Sequence, residues 1–124
     1  MKKMISVFKA LSDRNRLRVV AALDAHNELC ACQITELLKV TGATASRHMS
    51  VLVSAGLVES RKDGRWVHYR LSDNDAPLGS VLEWIRAEYS SDPQILKDRN
   101  ALAQITACDP EELCRKQRGE ECCP

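Results

Sequence analysis

The first half of the chain repeats its hydrophobic residues at the spacing of amphipathic helices. A first stripe at i, i+3, i+4 and i+7 consists of Met4, Val7, Phe8 and Leu11. A second and a third helix repeat this spacing with Leu17, Val20 and Ala21 and with Ile34, Leu37 and Leu38. Ser12 and Asp13 offer capping oxygens for the second helix, and the third begins near residues 28–30. Thr41 is placed to cap a fourth helix, which Gly56 ends as a left-handed residue.

The period then changes to that of a β-hairpin. Residues 57–71 are predicted to form two short strands, broken by the turn dipeptide at residues 63–64, Asp-Gly. A two-residue turn at this dipeptide pairs Lys62 with Arg65, Ser60 with Val67 and Val58 with Tyr69. In that register Glu59 lies opposite His68. The sequence therefore predicts a small antiparallel hairpin directly after the fourth helix.

Two more helices are predicted after the hairpin. Asp75 and Pro77 begin the first, whose apolar stripe contains Leu78, Val81, Leu82, Ile85 and Tyr89. The Asp-Pro pair at residues 92–93 begins the second, which reaches about Ile105. Beyond Cys108 the chain has few large apolar residues, so a charged, cysteine-bearing tail is expected there.

Length and composition limit what else the chain does. At 124 residues it forms one domain, or one domain with a tail, and has no room for a separate catalytic domain. No apolar run approaches the roughly 20 residues of a membrane span, and the amino terminus lacks the pattern of a signal peptide. We therefore expect a cytoplasmic protein with no membrane partner. Its six cysteines then stay reduced and serve as ligands or redox groups rather than as a disulfide framework.

Charge is distributed unevenly along the chain. Residues 1–70 hold 12 basic and 6 acidic side chains, whereas residues 71–124 hold 6 basic and 11 acidic ones. A basic front half indicates an anionic partner, although an uneven solvated surface gives the same pattern. Charge alone does not distinguish these two interpretations, whereas the motifs described next favour one of them.

The fourth predicted helix, residues 42–55, has the two faces of a DNA-reading helix. Its core face holds Ala45, Met49, Leu52 and Val53, and its opposite face holds Ala43, Thr44, Arg47 and Ser50, with His48 on the flank. Small side chains let a helix approach a groove, and a guanidinium can bridge guanine O6 and N7 or bind phosphate. The short link at residues 39–41 fits a helix-turn-helix. A basic hairpin tip able to reach phosphate follows, formed by Arg61, Lys62 and Arg65.

In these segments the chain resembles the arsenical-resistance repressor (ArsR/SmtB) family of winged helix-turn-helix metal sensors, and most nearly its arsenic-responsive members. The resemblance covers about residues 4–91 and is carried by FKALSDRNRLRVVAAL (8–23), ELCACQITELL (28–38), TASRHMSVLVSAGLV (44–58) and RKDGRWVHYRL (61–71). It implies a mainly α fold with a small β-hairpin wing. It also implies a homodimer joined through the first helix and the helix near 78–91. Metalloid binding would then release the dimer from double-stranded operator DNA.

The resemblance also implies roles for individual residues. Thr44, Ser46, Arg47 and His48 match the family's recognition-helix positions, and Arg61, Lys62 and Arg65 match the wing. Ala43 and Ala45 differ from many members, so the operator sequence is not transferred. Residues 1–91 are then the DNA-binding and dimerisation domain, and residues 92–124 are a helical extension with a cysteine-bearing tail. No cofactor is expected for DNA binding itself.

Cys30 and Cys32 form the candidate metal-binding pair of the sequence. Two residues along a regular helix turn a side chain by about 200°, so this pair chelates one ion only at a helix start or after local unwinding. A helix N-terminus favours the thiolate, and soft thiolates bind As(III), Sb(III), Cu(I), Cd(II), Zn(II) or Pb(II). The resemblance favours As(III) or Sb(III) as inducer. Two inert core cysteines are the structural alternative.

A third thiolate is not specified by the sequence. One pattern among the arsenic sensors has a cysteine where this chain has Thr35. The third ligand would come from the dimer mate or from Cys108, Cys114, Cys122 or Cys123. Alternatively two thiolates suffice with a solvent ligand, which suits a methylated arsenical.

Other functions fit the sequence less well. A His/carboxylate zinc site on the helix near 78–91 is disfavoured because this helix has no histidine. The three histidines of the chain lie elsewhere, at His26, His48 and His68. An enzyme is disfavoured because there is no glycine-rich phosphate loop and no Cys-x-x-Cys motif. The main alternative is a repressor of the same fold that senses thiol oxidation or another soft metal.

Overall fold

Helices make up most of the fold. The computed structural model describes residues 1–72 and 76–117. Within them the elements run in the order α1 Lys2–Leu11, α2 Arg14–Ala25, β1 Leu29–Cys30, α3 Ala31–Leu38, α4 Gly42–Ser54, β2 Val58–Asp63, β3 Trp66–Leu71, α5 Ala76–Tyr89, α6 Pro93–Ala107 and α7 Pro110–Gln117. The predicted fold class, mainly α with a small β-hairpin wing, is confirmed. No helix in the described ranges is long and apolar enough to cross a membrane.

A three-residue link joins α3 to α4. Lys39 ends α3 in the left-handed conformation, with φ 55°, and its N–H donates to the carbonyl of Thr35. The Thr41 side chain caps α4 by accepting the N–H of Thr44 at 3.2 Å, and Gly56 follows the helix with φ 80°, both as predicted. The link is therefore short, and hydrogen bonds fix the backbone at both of its ends.

Asp13, not Ser12, caps α2. The Asp13 carboxylate accepts the backbone N–H groups of Asn15 and Arg16 at 2.8 and 3.1 Å. The Ser12 hydroxyl instead donates to the carbonyl of Lys9 and closes the end of α1. The corner between α1 and α2 is thus fixed by side-chain hydrogen bonds on both sides.

The hairpin forms where predicted, but its register is wrong by two residues. Asp63 pairs with Trp66, so Gly64 and Arg65 form the turn. Gly64 has φ 60° at the first turn position, which fits the type II′ pattern that favours glycine there. The partners along the strands are therefore Lys62 with Val67, Ser60 with Tyr69, Glu59 with Arg70 and Val58 with Leu71. A shift of two keeps each side chain on its predicted face but moves Glu59 away from His68.

A third strand precedes α3. Leu29 and Cys30 pair with Tyr69 and His68, which gives an antiparallel sheet in the order β1-β3-β2. The predicted helix start at residues 28–30 is therefore one to three residues too early, because the dipeptide at residues 29–30 pairs with the edge of the hairpin instead. Cys30 is both the last residue of this strand and the N-cap of α3.

Several predicted core positions are exposed. On α1, Met4 and Phe8 are 57% and 64% exposed, whereas Val7 and Leu11 pack against the core. Val53 on α4 is 36% exposed, which corrects its predicted core position. Trp84 on α5 is 64% exposed. A single protomer thus leaves large apolar side chains of α1 and α5 in solvent.

A polar cluster fixes α5 to α2. The Arg86 guanidinium donates to both carboxylate oxygens of Asp24 at 2.7 and 2.6 Å, and the Tyr89 hydroxyl donates to the same group at 2.7 Å. The hydrogen bond from Arg86 holds the pKa of Asp24 below its ordinary value. Burial beside this carboxylate raises the pKa of Tyr89 to about 12. The predicted start of this helix at Asp75 lies outside the described residues.

The carboxyl-terminal helices pack on the same core as the rest of the chain. Asp92 caps α6 as predicted, and Leu102 and Ile105 are buried. The last described helix, α7, corrects the expectation of a tail after Cys108, since Leu113 is only 7% exposed. The predicted domain boundary at residue 91 stays a prediction.

Asp98 of α6 forms a buried ion pair with Arg18 of α2. Its two carboxylate oxygens accept from the guanidinium at 2.9 Å each, and it is 5% exposed. We expect Asp98→Ala to lower the free energy of unfolding by about 3 kcal/mol or more, because it leaves a buried cation uncompensated. Urea denaturation with an unchanged m-value measures the loss.

The matched control for this prediction is Lys97→Ala, which removes an exposed charge from the same helix. We expect a change within about 0.5 kcal/mol for the control. Equal stabilities of the two variants would contradict the assigned role of the ion pair.

Candidate nucleic-acid interface and thiol site

The amino-terminal half of α4 presents a polar face to solvent. Ala45, Met49 and Leu52 are buried and anchor the helix on the core. The opposite face exposes Ala43, Ser46, Arg47 and Ser50. Small side chains around a single guanidinium leave this half of the helix open to a groove-sized partner.

Two of the predicted contact residues on this helix have their side chains engaged within the protein. Thr44 is half-buried, and its hydroxyl accepts from the Thr41 hydroxyl at 3.0 Å. Ser46 and Arg47 are exposed, and no described residue forms an ion pair with Arg47. His48 is only 14% exposed in its side chain, with Nδ1 3.1 Å from the Arg16 guanidinium.

His48 joins α4 to the corner between α1 and α2. Arg16 also donates to the carbonyls of Ala10 and Lys9, so one guanidinium connects three helices. Partial burial of the Asp13 carboxyl opposes its ionisation. Backbone hydrogen bonds and the charges of Arg16 and His48 outweigh that burial and hold the Asp13 pKa below its ordinary value. This arrangement fixes the orientation of α4, while the predicted DNA contact of His48 stays a prediction.

The wing tip is basic, but two of its three cations have carboxylate partners. Arg61 donates to Glu28 at 2.7 Å, and Arg65 donates to Glu111 of α7 at 3.2 Å. The hydrogen bond to Glu28 raises the pKa of Arg61, and the same bond lowers the pKa of Glu28. Lys62 is exposed and has no ion-pair partner within the described residues. Such exposed pairs contribute little stability, so a phosphate can displace the carboxylates.

The two predicted metal-ligating cysteines lie at the start of α3. Cys30 is its N-cap and is 3% exposed, with a backbone N–H that donates to Gln33 Oε1 at 2.9 Å. Cys32 is half-buried at the second helical position. This is the helix-start placement that the Cys-x-Cys spacing predicts. No three His, Cys, Asp or Glu side chains in residues 1–72 and 76–117 are grouped to hold a metal ion.

The structure brings Cys32 together with Cys114 of α7. The two sulfur atoms are joined as a disulfide, and the Cα atoms lie 5.6 Å apart. This pair differs from the expected fully reduced set, because α7 packs across the start of α3 at a separation that suits a bridge. Cys30 and Cys108 are free thiols, and the predicted alternatives Cys122 and Cys123 lie outside the described residues.

The sequence contains residues typical of a helix start and a helix end around α7, although its apolar spacing does not predict a helix there. Pro110 and the acidic pair at residues 111–112 are typical of a helix start, and the basic pair at residues 115–116 is typical of a helix end. Recognising this helix would have placed Cys114 on an ordered element. It would not have identified Cys32 as the neighbour, because that depends on tertiary packing.

These features define a winged helix-turn-helix regulator of the DNA-binding class. The family model of the bacterial regulatory proteins of the arsR family matches residues 13–60. The arsenical resistance operon repressor of Escherichia coli (strain K12) is 44% identical over 112 residues, which cover 89% of this chain and 94% of the relative. The chain therefore belongs to the ArsR family and is a transcriptional regulator, not an enzyme.

Two further proteins are similar to part of this chain. The cadmium resistance regulatory protein CadC of Listeria innocua is 47% identical over 62 residues, which cover 50% of this chain and 52% of that protein. The homodimeric winged helix-turn-helix domain Mb0332 of Mycobacterium bovis, a solved structure, matches with a TM-score of 0.60 and 30% identity. That match covers 71% of this chain and 81% of the other.

Proposed function

We propose that the protein is a cytoplasmic, homodimeric repressor that binds double-stranded operator DNA and is released by As(III) or Sb(III). The observation that carries this proposal is the position of Cys30 and Cys32 at the start of α3, the helix whose end is joined to α4 by a link of three residues. Ligands that distort α3 therefore act on the DNA-reading helix through a short link. Similarity to the Escherichia coli arsenical resistance repressor over most of both chains supports arsenic as the inducer.

Operator binding is assigned to α4 and the wing. Ser46 and Arg47 face solvent on α4 and are proposed to reach base edges, while Thr44 and His48 hold the helix in place beside them. The wing residues Arg61, Lys62 and Arg65 are proposed to bind phosphate, which fixes the register of the protein on the duplex.

Dimerisation is assigned to α1 and α5. Phe8 and Trp84 are each 64% exposed, and burial of such side chains against a second copy is favourable. The homodimeric Mycobacterium bovis domain has the same fold. Two-fold symmetry would place the two α4 helices on successive half-sites of a palindromic operator.

Release of the DNA is proposed to follow because arsenic binding and a regular α3 require different positions of Cys30 and Cys32. Two or three As–S bonds at the helix start would pull Cys30 and Cys32 toward one centre, which a regular helix does not permit. The resulting distortion would move α4 and change the spacing of the half-sites. Because binding free energies are reciprocal, operator DNA would weaken metalloid binding by the same factor.

A second candidate is a repressor of the same fold with another thiol signal. The Cys32–Cys114 pair favours a response to peroxide, and the similarity to CadC favours a response to Cd(II). Both candidates keep the DNA-binding assignment and change only the inducer.

Arg47 is the exposed cation on the helix proposed to read DNA. We expect Arg47→Ala to cost about 1–3 kcal/mol of operator binding, because it removes the guanidinium proposed to bridge a guanine. Fluorescence anisotropy on operator and on random DNA of equal length measures both affinities. Arg99→Ala removes the same charge from an exposed position on α6 and should leave operator affinity nearly unchanged. Equal weakening on operator and random DNA would assign Arg47 to phosphate and contradict base recognition.

Cys30 and Cys32 are the proposed inducer site. We expect the double variant Cys30→Ser, Cys32→Ser to bind operator within about threefold of the parent protein, since neither residue is on the DNA-binding face. Arsenite at concentrations that fully release the parent should leave the variant bound. Cys108→Ser, which changes an exposed free thiol, should respond as the parent does. Normal arsenite release of the double variant would exclude these two cysteines as the site.

A further inference from the structure

We propose that Cys114 of α7 is the second thiolate for arsenic beside Cys32, so that the inducer joins α7 to the start of α3. This inference rests on the proposed response to arsenic and names a ligand for it. The sulfur atoms of the two residues are in bonding contact, with Cα atoms 5.6 Å apart across a sequence separation of 82 residues. Within the described residues this is the sulfur pair that the fold brings together.

The approach of the two thiols does not depend on the sulfur–sulfur bond alone. Leu113, the neighbour of Cys114, is buried in the core. Gln117 Nε2 donates to the carbonyl of Cys32 at 2.7 Å, and Lys116 lies 3.8 Å from the carboxylate of Glu36. These contacts anchor α7 on α3, so the two thiols remain neighbours when the pair is reduced.

Reduced thiols in this arrangement suit a trivalent arsenical with two exchangeable oxygen ligands. With arsenous acid, two As–O bonds break and two As–S bonds form. The two thiol protons leave with the displaced hydroxides as two molecules of water, and no atom is oxidised or reduced. The third position on arsenic keeps its hydroxide, or the Cys30 thiol replaces that hydroxide, which leaves with the thiol proton as a third molecule of water. In a mono-organic arsenical the carbon substituent fills that position, so Cys32 and Cys114 suffice.

Arsenic at this pair would also act on the wing. Glu111 lies one turn before Cys114 on α7 and accepts from the wing residue Arg65 at 3.2 Å. As–S bonds to Cys32 and Cys114 would change how α7 lies on α3, and with it the position of this carboxylate beside a cation proposed to bind phosphate. The competition between Glu111 and DNA for Arg65 would then change on arsenic binding, by a route that does not require Cys30.

Phenylarsine oxide tests the pair because it forms bonds to two thiolates. All variants carry Cys122→Ser and Cys123→Ser, since those adjacent cysteines could bind the probe themselves. After reduction and removal of the reductant, intact mass and the count of remaining free thiols give the stoichiometry, and a titration gives the affinity. The parent for this test is the protein with only Cys122→Ser and Cys123→Ser. We expect it to bind one probe per protomer with loss of two free thiols. The same is expected for Cys30→Ser and for Cys108→Ser. Cys32→Ser and Cys114→Ser should each bind at least tenfold more weakly.

The outcomes separate this inference from the proposed function. If Cys114→Ser binds the probe as tightly as the parent while Cys30→Ser does not, the site is the Cys30/Cys32 pair and the inference is wrong, although arsenic release of DNA can stand. If Cys114 is required for the probe but arsenite leaves the parent on its operator, the site is supported and the proposed function fails. Operator binding by Cys114→Ser, measured in parallel, shows that the variant is folded, and Cys114→Ala provides a second substitution.

Discussion

The fixed link between α3 and α4 is the constraint on which the rest of the structure depends. Lys39 adopts the left-handed conformation and Thr41 caps α4, so three residues turn the chain from one helix into the other with little freedom. Whatever sets the position of α3 therefore sets the position of the DNA-reading helix. In the proposed mechanism, a ligand at the first turn of α3 acts on α4, the helix proposed to read DNA, through this short link.

Two neighbouring elements contact the start of α3. Cys30 belongs to β1, which pairs with the wing strand β3, and Cys32 meets α7 through Cys114 and Gln117. The hairpin that contains β3 also carries the basic wing residues Arg61, Lys62 and Arg65, and α7 carries Glu111, which accepts from Arg65. A ligand at the proposed thiol site would therefore lie close both to the start of α3 and to the contact between α7 and the wing.

Local signals predicted most of the fold and part of the site. Capping by Thr41, the left-handed Gly56 and the polar face around Arg47 depend on neighbouring residues, and the structure has them where the sequence indicates. The hairpin register was wrong because Gly64 suits the first turn position as well as the second. The Cys32–Cys114 contact could not be predicted, because it arises from the packing of two helices far apart in sequence.

The most direct test is fluorescence anisotropy of the reduced protein on the DNA upstream of its own gene. Arsenite and Zn(II) are titrated in parallel, with peroxide added to a third sample after the reductant is removed. If thiol-bound arsenic moves α4, arsenite lowers the anisotropy to that of free DNA, while zinc and peroxide leave the complex intact. Release by zinc or peroxide alone, with arsenite inactive, would contradict the account of the inducer.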